Sequence, residues 1–442
     1  MARLETAKSE ETLNIDASQR RTQRHRAMVA SAVGTSIEWY DFFLYGVAAA
    51  LVFPQKYFPQ SDPFVGTLLA FSTYFIGFAA RPVGAVIFGH FGDRIGRKAS
   101  LIATLVLMGI ATMGIGFIPD YNSIGIWGAV LLTLARVLQG IGVGGEWGGS
   151  VLLAGEWTDP KRRGFSTSWA QFGAPAGMVL ANGALALMSV WTTNDQFLEW
   201  GWRVPFLLSF ILIFIGLYIR AGILETPVFA KLKTEGRVQK APVLEVLRRD
   251  KRAVILTALL RTGQQTPFYL FTTYVLTYAT QVLGLSRTMV LNFVMIQSVI
   301  SLGTIPLFGH LSDKIGRRKI TAIGCVVMMV FPFIYFSLLD TKVLFLVFLA
   351  IALALPLHDL QYGPQAAFIS ESFAGSRRYS GSSLGYQLAS LTAGGPAPLI
   401  AVWLYQRYGT STAIAMYVAV TALVSLICVM FLRDRTGHLD AH

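Results

Sequence analysis

Charge is scarce in this chain. Only 14% of its 442 residues are Asp, Glu, Lys or Arg, where an average soluble domain carries about 25%, and that shortage excludes an ordinary water-facing surface. Cysteine is nearly absent: Cys325 and Cys428 fall in apolar runs far apart in sequence, which excludes a disulfide framework and a CxxC metal site. The string G-x-x-x-x-G-K-[ST] does not occur, so an ATP-driven pump has no phosphate cradle. The first 27 residues are polar and carry the basic run RRTQRHR. A cleavable signal peptide is therefore not expected, and the first helix is expected to be retained.

Long apolar sequence is plentiful, with 54% of residues hydrophobic. Runs of about 20 such residues suffice to cross the roughly 30 Å hydrocarbon core as helices. Twelve are found, near 28–53, 64–91, 99–118, 123–154, 164–190, 203–222, 252–281, 288–310, 319–339, 342–369, 380–403 and 411–432. The spacing predicts an all-α membrane protein of 12 transmembrane helices. Its parts are an N-terminal tail (1–27), a six-helix bundle (28–222), a polar linker (223–251), a second six-helix bundle (252–432) and a C-terminal tail (433–442).

The net charge of +13 suggests a nucleic-acid surface until its distribution is read. With the N-terminus assigned to the cytoplasm, 29 of the 37 Lys and Arg fall in cytoplasmic segments or at the helix ends that border them (Arg220, Arg252, Lys319), and only Lys56, Arg287, Lys342 and Arg407 in or beside outer loops. This asymmetry is the positive-inside pattern. It predicts a multi-pass protein of the inner (cytoplasmic) membrane with both termini cytoplasmic, whose partners are the bilayer, a small-molecule substrate and H⁺. No nucleic acid, nucleotide, metal or cofactor is expected, and a monomer is.

The chain repeats itself. GHFGDRIGRKAS (89–100) follows the second run and GHLSDKIGRRKI (309–320) the eighth, an offset of 220 residues. Glu156, Arg162 and Arg163 recur as Glu371, Arg377 and Arg378 at an offset of 215. Two related six-helix halves follow. Asp93, beside Arg94, Arg97 and Lys98, and Asp313, beside Lys314, Arg317 and Arg318, each stand at the cytoplasmic end of a helix. There a carboxylate can bridge to basic groups or to the positive N-terminal end of a neighbouring helix. These residues form a candidate cytoplasmic gate.

The repeated loop Gly-x-x-x-Asp-(Arg/Lys)-x-Gly-Arg-(Lys/Arg) resembles the signature of the major facilitator superfamily, over nearly the whole chain. GTSIEWYDFFLYG (34–46), RVLQGIGVGGEWGG (136–149), WGWRVPF (200–206) and ETPVF (225–229) are similar to its metabolite:H⁺ symporter branch, which includes shikimate, 2-oxoglutarate, citrate and proline/betaine carriers. The His-Asp pair at 358–359 and the RYSG-x-x-x-GYQ-x-AS pattern (378–390) look like the shikimate carriers in particular. The resemblance implies inverted three-helix units within each half. The antiporters of the superfamily carry G-x₈-G-x₃-G-P in the fifth helix. Here Gly164, Gly173 and Gly177 keep the spacing, but Met178 stands in the place of the proline, which favours uptake over export.

Gly140, Gly142 and Gly145 spell G-x-G-x-x-G, the spacing of a dinucleotide loop. Such a loop follows a strand and opens a helix, whereas these glycines sit inside one long apolar run. Gly140 with Gly144, and Gly145 with Gly149, share helix faces at i, i+4 and predict close helix packing.

Charges buried in lipid are expensive and are functional candidates by default. Glu38, Asp41 and Tyr45 share one helix face, and Arg136 lies at similar depth, positioned to bind an anionic substrate or pair with a carboxylate. Arg261, Gln264 and Gln265 form a second polar patch, and His358, Asp359 and Gln361 a third. Proton coupling is assigned to Asp41, Glu38 and His358, since an imidazole changes charge near neutral pH. Substrate binding is assigned to Arg136, Arg261, Gln264, Gln265, Tyr40, Tyr45, Asp359 and Gln361. Arg81 is expected nearer the gate, and Glu146 to pair with a basic loop group. His358 and Asp359, adjacent in sequence, should point about 100° apart and form no shared catalytic face, so an enzyme is not expected; the alternative to a proton path is that the two pair with each other or with a backbone carbonyl. The reading is a proton-coupled importer of a small carboxylate, a shikimate-like acid favoured. A proline/betaine-type zwitterion symporter and a proton-coupled exporter are the alternatives.

Overall fold

A segment in hydrocarbon must satisfy its own backbone, which a helix does and an isolated strand does not. In the computed structural model, which describes residues 16–61, 63–238 and 241–436, every regular element among the described residues is helical. The first half comprises α1 (Ala17–Leu51), α2 (Pro63–Arg94), α3 (Arg97–Phe117), α4 (Trp127–Glu156), α5 (Arg163–Trp191) and α6 (Arg203–Ala221). The second comprises α7 (Lys251–Tyr269, carried on by π turns at Leu270–Tyr274 and Tyr278–Val282), α8 (Arg287–Ile315), α9 (Arg317–Asp340) and α10 (Leu344–Ser370). It continues with α11 (Arg378–Ala389, then a π turn at Ser390–Gly394 and Ala397–Tyr408) and α12 (Ser411–Phe431).

Among the described residues, ten of these elements are long and apolar enough to cross a membrane. The other two are α1 and α7, whose charged residues lower their hydropathy: Glu38, Asp41 and the arginines of the first turns in α1, and Lys251, Arg252 and Arg261 in α7. Together they make the twelve. α1 begins well before its apolar run because Asp16 caps it: the Asp16 carboxylate accepts from the Gln19 N–H at 2.7 Å, and the Gln19 side chain accepts from the Asp16 N–H at 3.3 Å. This reciprocal box satisfies two orphan donors and makes RRTQRHR helical. The region read as tail is thus helix from Ala17, while residues 1–15 and 437–442 lie outside the described residues. The linker folds into two short helices, Pro227–Thr234 and Pro242–Arg249.

The glycines of α4 bring backbones together. A Cβ on Gly140 would strike the Gly77 carbonyl, one on Gly144 the Arg81 carbonyl, and one on Gly84 the Ile141 carbonyl. The α2–α4 contact is therefore backbone against backbone. Where the halves meet, α5 lies on α8 and α2 on α11. The equivalent glycines of the repeated loops sit at these crossings: Gly309 faces Ser168 and the Gly164 carbonyl, and Gly89 faces the Ser380 backbone.

Each repeated loop ends in a glycine at positive φ, Gly96 (+124°) and Gly316 (+108°), a conformation that glycine adopts at little steric cost. Each of these glycines precedes a helix and has no side chain to cap it. The cap comes from the end of the half. Glu225, after α6, accepts from the N–H groups of Arg97 at 3.1 Å and Lys98 at 3.3 Å. After α12, Asp434 accepts from the Arg318 N–H at 3.1 Å, and the Thr436 hydroxyl from the Arg317 N–H at 3.1 Å. Burial pushes the Glu225 carboxyl above the ordinary glutamate range, against the pull of the Thr226 N–H and of Arg97. These carboxylates were not singled out from sequence, because nothing in ETPVF or LRDRT announces a cap for a helix more than a hundred residues away. We define the face carrying these loops, where α3 and α9 begin, as the basic face.

Glu225→Ala removes the cap of α3 at a cost of about 1 kcal/mol. Amide exchange at Arg97 and Lys98, followed by mass spectrometry, is expected to quicken roughly fivefold, and Glu225→Gln is expected to recover part of the protection.

Candidate functional site

Midway through the bundle, Trp39 of α1, Arg261, Gln264, Gln265, Phe268 and Tyr269 of α7, and Tyr362 of α10 line a narrow, closed cavity with no room for a water molecule in this conformation. Arg261, Gln264 and Gln265 occupy successive turns of α7 and so share its inner face. The guanidinium of Arg261 lies 2.9 Å from the Tyr386 ring centroid, and Tyr386 stacks at 3.4 Å on Trp147 of α4. The Trp147 indole donates to Gln171 of α5 at 2.7 Å. This chain of contacts ties the two halves around the cavity. Arg261 is buried, and its Nε and Nη1 have no hydrogen-bond partner among the described residues. Gln265 donates to Ser390 of α11 at 3.1 Å.

The first-half charges are arranged differently. Arg136 stands amid the rings of Tyr45 (4.4 Å), Tyr74 (4.8 Å) and Phe42 (5.1 Å), and Gly77 makes room for its side chain. It donates to Gln139 at 3.0 Å, Gln139 donates to Thr112 at 2.7 Å, and the Thr112 hydroxyl donates to Asp41 at 2.7 Å. Ser209 of α6 donates to the other Asp41 oxygen at 3.1 Å. Arg136 and Asp41 thus communicate through an amide and a hydroxyl rather than by an ion pair. Thr112 and Gln139 were missed from sequence, being uncharged residues in apolar runs. Glu38 is buried toward the centre, with Oε2 unpaired among the described residues, whereas the Tyr45 hydroxyl meets Thr73 at 2.6 Å. The shared face of Glu38, Asp41 and Tyr45 therefore fans out to three sets of neighbours.

Several placements differ from the sequence reading. The Tyr40 hydroxyl donates to the Pro205 carbonyl of α6 at 2.8 Å, and Gln361 donates to the Gly324 carbonyl of α9 at 3.0 Å. Both side chains turn away from the cavity, since each sits one helical step round from a residue that lines it, Trp39 and Tyr362 respectively. Asp359 faces α8, accepting from Ser301 at 2.7 Å and Thr304 at 2.5 Å. It also meets the neighbouring imidazole, with His358 Nδ1 3.2 Å from its Oδ1, because bending within the two side chains overcomes the 100° offset. His358 Nε2 lies 2.8 Å from the Gln264 amide nitrogen. Arg81 is a central residue: its guanidinium lies over the rings of Phe78 (4.5 Å), Phe42 (4.7 Å) and Trp39 (6.0 Å). Counting back from Arg94 at 1.5 Å per residue gives roughly 20 Å of depth, the signal that would have found it. Glu146 pairs with Arg220 of α6, a buried helix residue and not a loop group, and accepts from Thr104 at 2.7 Å.

On the basic face the residues of the two repeated motifs form two related clusters. Asp93 accepts from the N–H groups of Tyr379 (3.3 Å) and Ser380 (2.9 Å) at the start of α11, and pairs with Arg97 at 3.2 Å. Arg97 also reaches Glu156 at 3.5 Å, and Arg378 lies 3.9 Å from Glu156. In the other half, Asp313 accepts from the N–H groups of Gly164 (2.8 Å) and Phe165 (2.9 Å) at the start of α5. Arg317 pairs with Asp313 at 2.7 Å and Glu371 at 3.3 Å. Each aspartate thus joins its own half to a helix N-terminus of the other. Arg163 is buried beside the second cluster's helix end. Lys98 holds the Ala221 and Ile223 carbonyls after α6, Arg318 the Met430 carbonyl of α12, and Arg377 pairs with Asp250 of the linker. Arg94, Arg162 and Lys314 are exposed and stand outside both clusters.

The geometry is that of a two-half bundle closed at its basic face around a buried cationic centre, and chains of similar sequence and shape exist. The chain is 42% identical over 421 residues to the inner membrane metabolite transport protein YhjE of Escherichia coli K12, covering 94% of this chain and 95% of that one. It is 40% identical over 417 residues to the shikimate transporter of the same organism, with 93% and 95% covered. Its backbone superimposes on the proton:xylose symporter XylE bound to 6-bromo-6-deoxy-D-glucose with a TM-score of 0.79 at 18% identity, covering 95% of this chain and 98% of that one. A family model described as Major Facilitator Superfamily matches residues 31–396. With that match over most of its length and a 12-helix fold in two halves, the chain belongs to the major facilitator superfamily and is a transporter, not an enzyme.

Proposed function

We propose that the protein imports a small carboxylate-bearing metabolite, a shikimate-like acid favoured, together with a proton, by alternating access across the inner membrane. In this reading the basic face is cytoplasmic, the protein acts as a monomer, and the halves 28–222 and 252–432 move about the central cavity while 223–251 tethers them. The observation that carries it is Arg261: a buried guanidinium whose Nε and Nη1 are unpaired among the described residues, flanked by two amides, on the wall of the cavity between the halves. A carboxylate is the group that answers a guanidinium with paired hydrogen bonds. The relative named shikimate transporter, 40% identical, supports an organic acid.

Asp41 carries the proton in this reading, with Glu38 and His358 as the other titratable groups near the path. A buried carboxylate is costly unless answered, and hydroxyls from Thr112 and Ser209 answer Asp41. It can therefore take up a proton without breaking an ion pair. Arg136, linked to it through Gln139 and Thr112, senses that change of charge. Substrate and proton together let the halves rock, and the aspartates of the basic face release the helix ends they hold.

The test is uptake of labelled shikimate into proteoliposomes under an inward proton gradient. Accumulation sensitive to a protonophore is expected, and its absence from tight vesicles overturns shikimate as the substrate. Arg261→Gln forfeits charge-assisted bonds of about 1.5–3 kcal/mol, so KM is expected to rise roughly 10- to 150-fold. With Asp41→Asn, gradient-driven accumulation is expected to vanish while exchange of labelled for unlabelled shikimate persists; accumulation at the wild-type level excludes Asp41 as the carrier. For the gate, Asp93→Asn is expected to open the basic face more often. A membrane-impermeant maleimide applied from that side would then label Ser168→Cys, between α5 and α8, faster than in the parent.

A further inference from the structure

His358 is fully buried on α10, between the rings of Tyr362 (5.4 Å) and Phe268 (5.7 Å). Its Nδ1 faces an acceptor: Asp359, whose other oxygen already takes the hydroxyls of Ser301 and Thr304. An acceptor there holds the proton on Nδ1, and a neutral imidazole then has only a lone pair on Nε2. That lone pair lies 2.8 Å from the amide nitrogen of Gln264, so the amide donates to it. The amide oxygen is consequently turned the other way. It is buried with no hydrogen-bond partner among the described residues, on the residue that lines the cavity next to Arg261.

Protonation reverses the demand. A proton arriving on Nε2 uses the lone pair and leaves an N–H facing an NH₂ at 2.8 Å, two donors with nothing between them. The side-chain amide can rotate half a turn about its last torsion, which is broad and roughly two-fold, and present its oxygen to the imidazolium. The backbone carbonyl of Gln264, 3.2 Å from Nε2, stands ready as a second acceptor. After that rotation the NH₂ faces the cavity.

We propose that the Gln264 amide is the element that couples proton to substrate in the second half: it shows its oxygen to the cavity while His358 is neutral, and its NH₂ when His358 is protonated. The inference rests on the reading of this cavity as a carboxylate site. An amide oxygen repels a carboxylate and an amide NH₂ binds one, so protonated His358 favours the anion and, by linkage, the bound anion favours protonated His358. The charged and titratable groups around this corner are Asp359 and Tyr362 on α10, Arg261 and Tyr269 on α7, Glu38 on α1, Arg81 on α2 and Tyr386 on α11. Among the described residues, α8 contributes only the Ser301 and Thr304 hydroxyls to this network, α5 the Gln171 amide, and α9 the Gly324 carbonyl. Gln264 is thus a positioning and binding residue whose orientation is set by its neighbour.

The first measurement is ¹⁵N NMR of the full chain with labelled histidine in proteoliposomes, the His358 signals identified by their loss in His358→Gln. At pH 8 the expected state is Nδ1 protonated and Nε2 bare, and saturating shikimate at pH 7 is expected to raise the doubly protonated fraction. An Nε2-protonated tautomer at pH 8, or no response to bound shikimate, overturns the proposal. The second is shikimate binding between pH 8 and pH 6 in a background carrying Asp41→Asn and Glu38→Gln, which removes the titratable carboxylates of the first helix. Affinity is expected to rise with falling pH by at most about tenfold per unit, the limit for one linked proton, and Gln264→Met is expected to flatten that slope. A slope unchanged by Gln264→Met also overturns the proposal. If neither shikimate nor 2-oxoglutarate binds at any pH, the carboxylate reading of the cavity fails and the coupling role with it. The expected tautomer at pH 8 would then show that the amide orientation itself is right, which separates the two failures.

Discussion

Hydrocarbon offers no hydrogen bonds, so each polar group inside the membrane must find its answer within the protein. The rest of this architecture follows from how those answers are arranged. Backbone groups inside the helices answer one another, but the first N–H groups of a helix have no partner of their own. On the basic face these orphan donors are matched with carboxylates from elsewhere: Glu225 and Asp434 within each half, Asp93 and Asp313 between halves. The first pair holds each six-helix unit together at its end. The second holds the two units to each other at the basic end of the bundle.

The same requirement sorts the buried cations into two kinds. Arg97, Arg220 and Arg317 are matched by carboxylates at close range, and such pairs are costly to break singly. Arg81 and Arg136 rest on aromatic faces, and Arg261 on Tyr386 with two N–H positions unanswered. An aromatic face attracts a cation without supplying a formal negative charge. The matched arginines lie toward the basic end, and those resting on aromatic faces lie at the centre.

Most of the fold was legible in the sequence, because hydropathy and repetition are properties of the chain itself. Twelve apolar runs, two loops 220 residues apart and glycines at i, i+4 sufficed. The site was legible only in part, because it depends on how each helix is rotated, which composition does not specify. Arg261, Gln264 and Gln265 were found together since one helix carries all three. Tyr40 and Gln361 were misplaced since a single step around the helix moves a side chain from cavity to neighbour. The Glu146–Arg220 pair and the Glu225 cap join residues 74 and more positions apart, and nothing local to either partner names the other. The pairing of His358 with Asp359 is one of the alternatives their adjacency left open, with side-chain torsions closing the gap between their backbone directions.

The grip of Asp93 and Asp313 has one more consequence. Each carboxylate holds main-chain N–H groups, at Tyr379 and Ser380 and at Gly164 and Phe165, and every residue except proline carries that donor. The bond itself is therefore indifferent to the receiving side chains, although at Gly164 the packing is not, since a Cβ there would strike the Gly309 carbonyl. Mutational drift at Tyr379, Ser380 and Phe165 can alter fit and size while leaving the electrostatic bond intact, whereas drift at either aspartate has no such latitude. The charge of the closure is specified in the sequence from one side only.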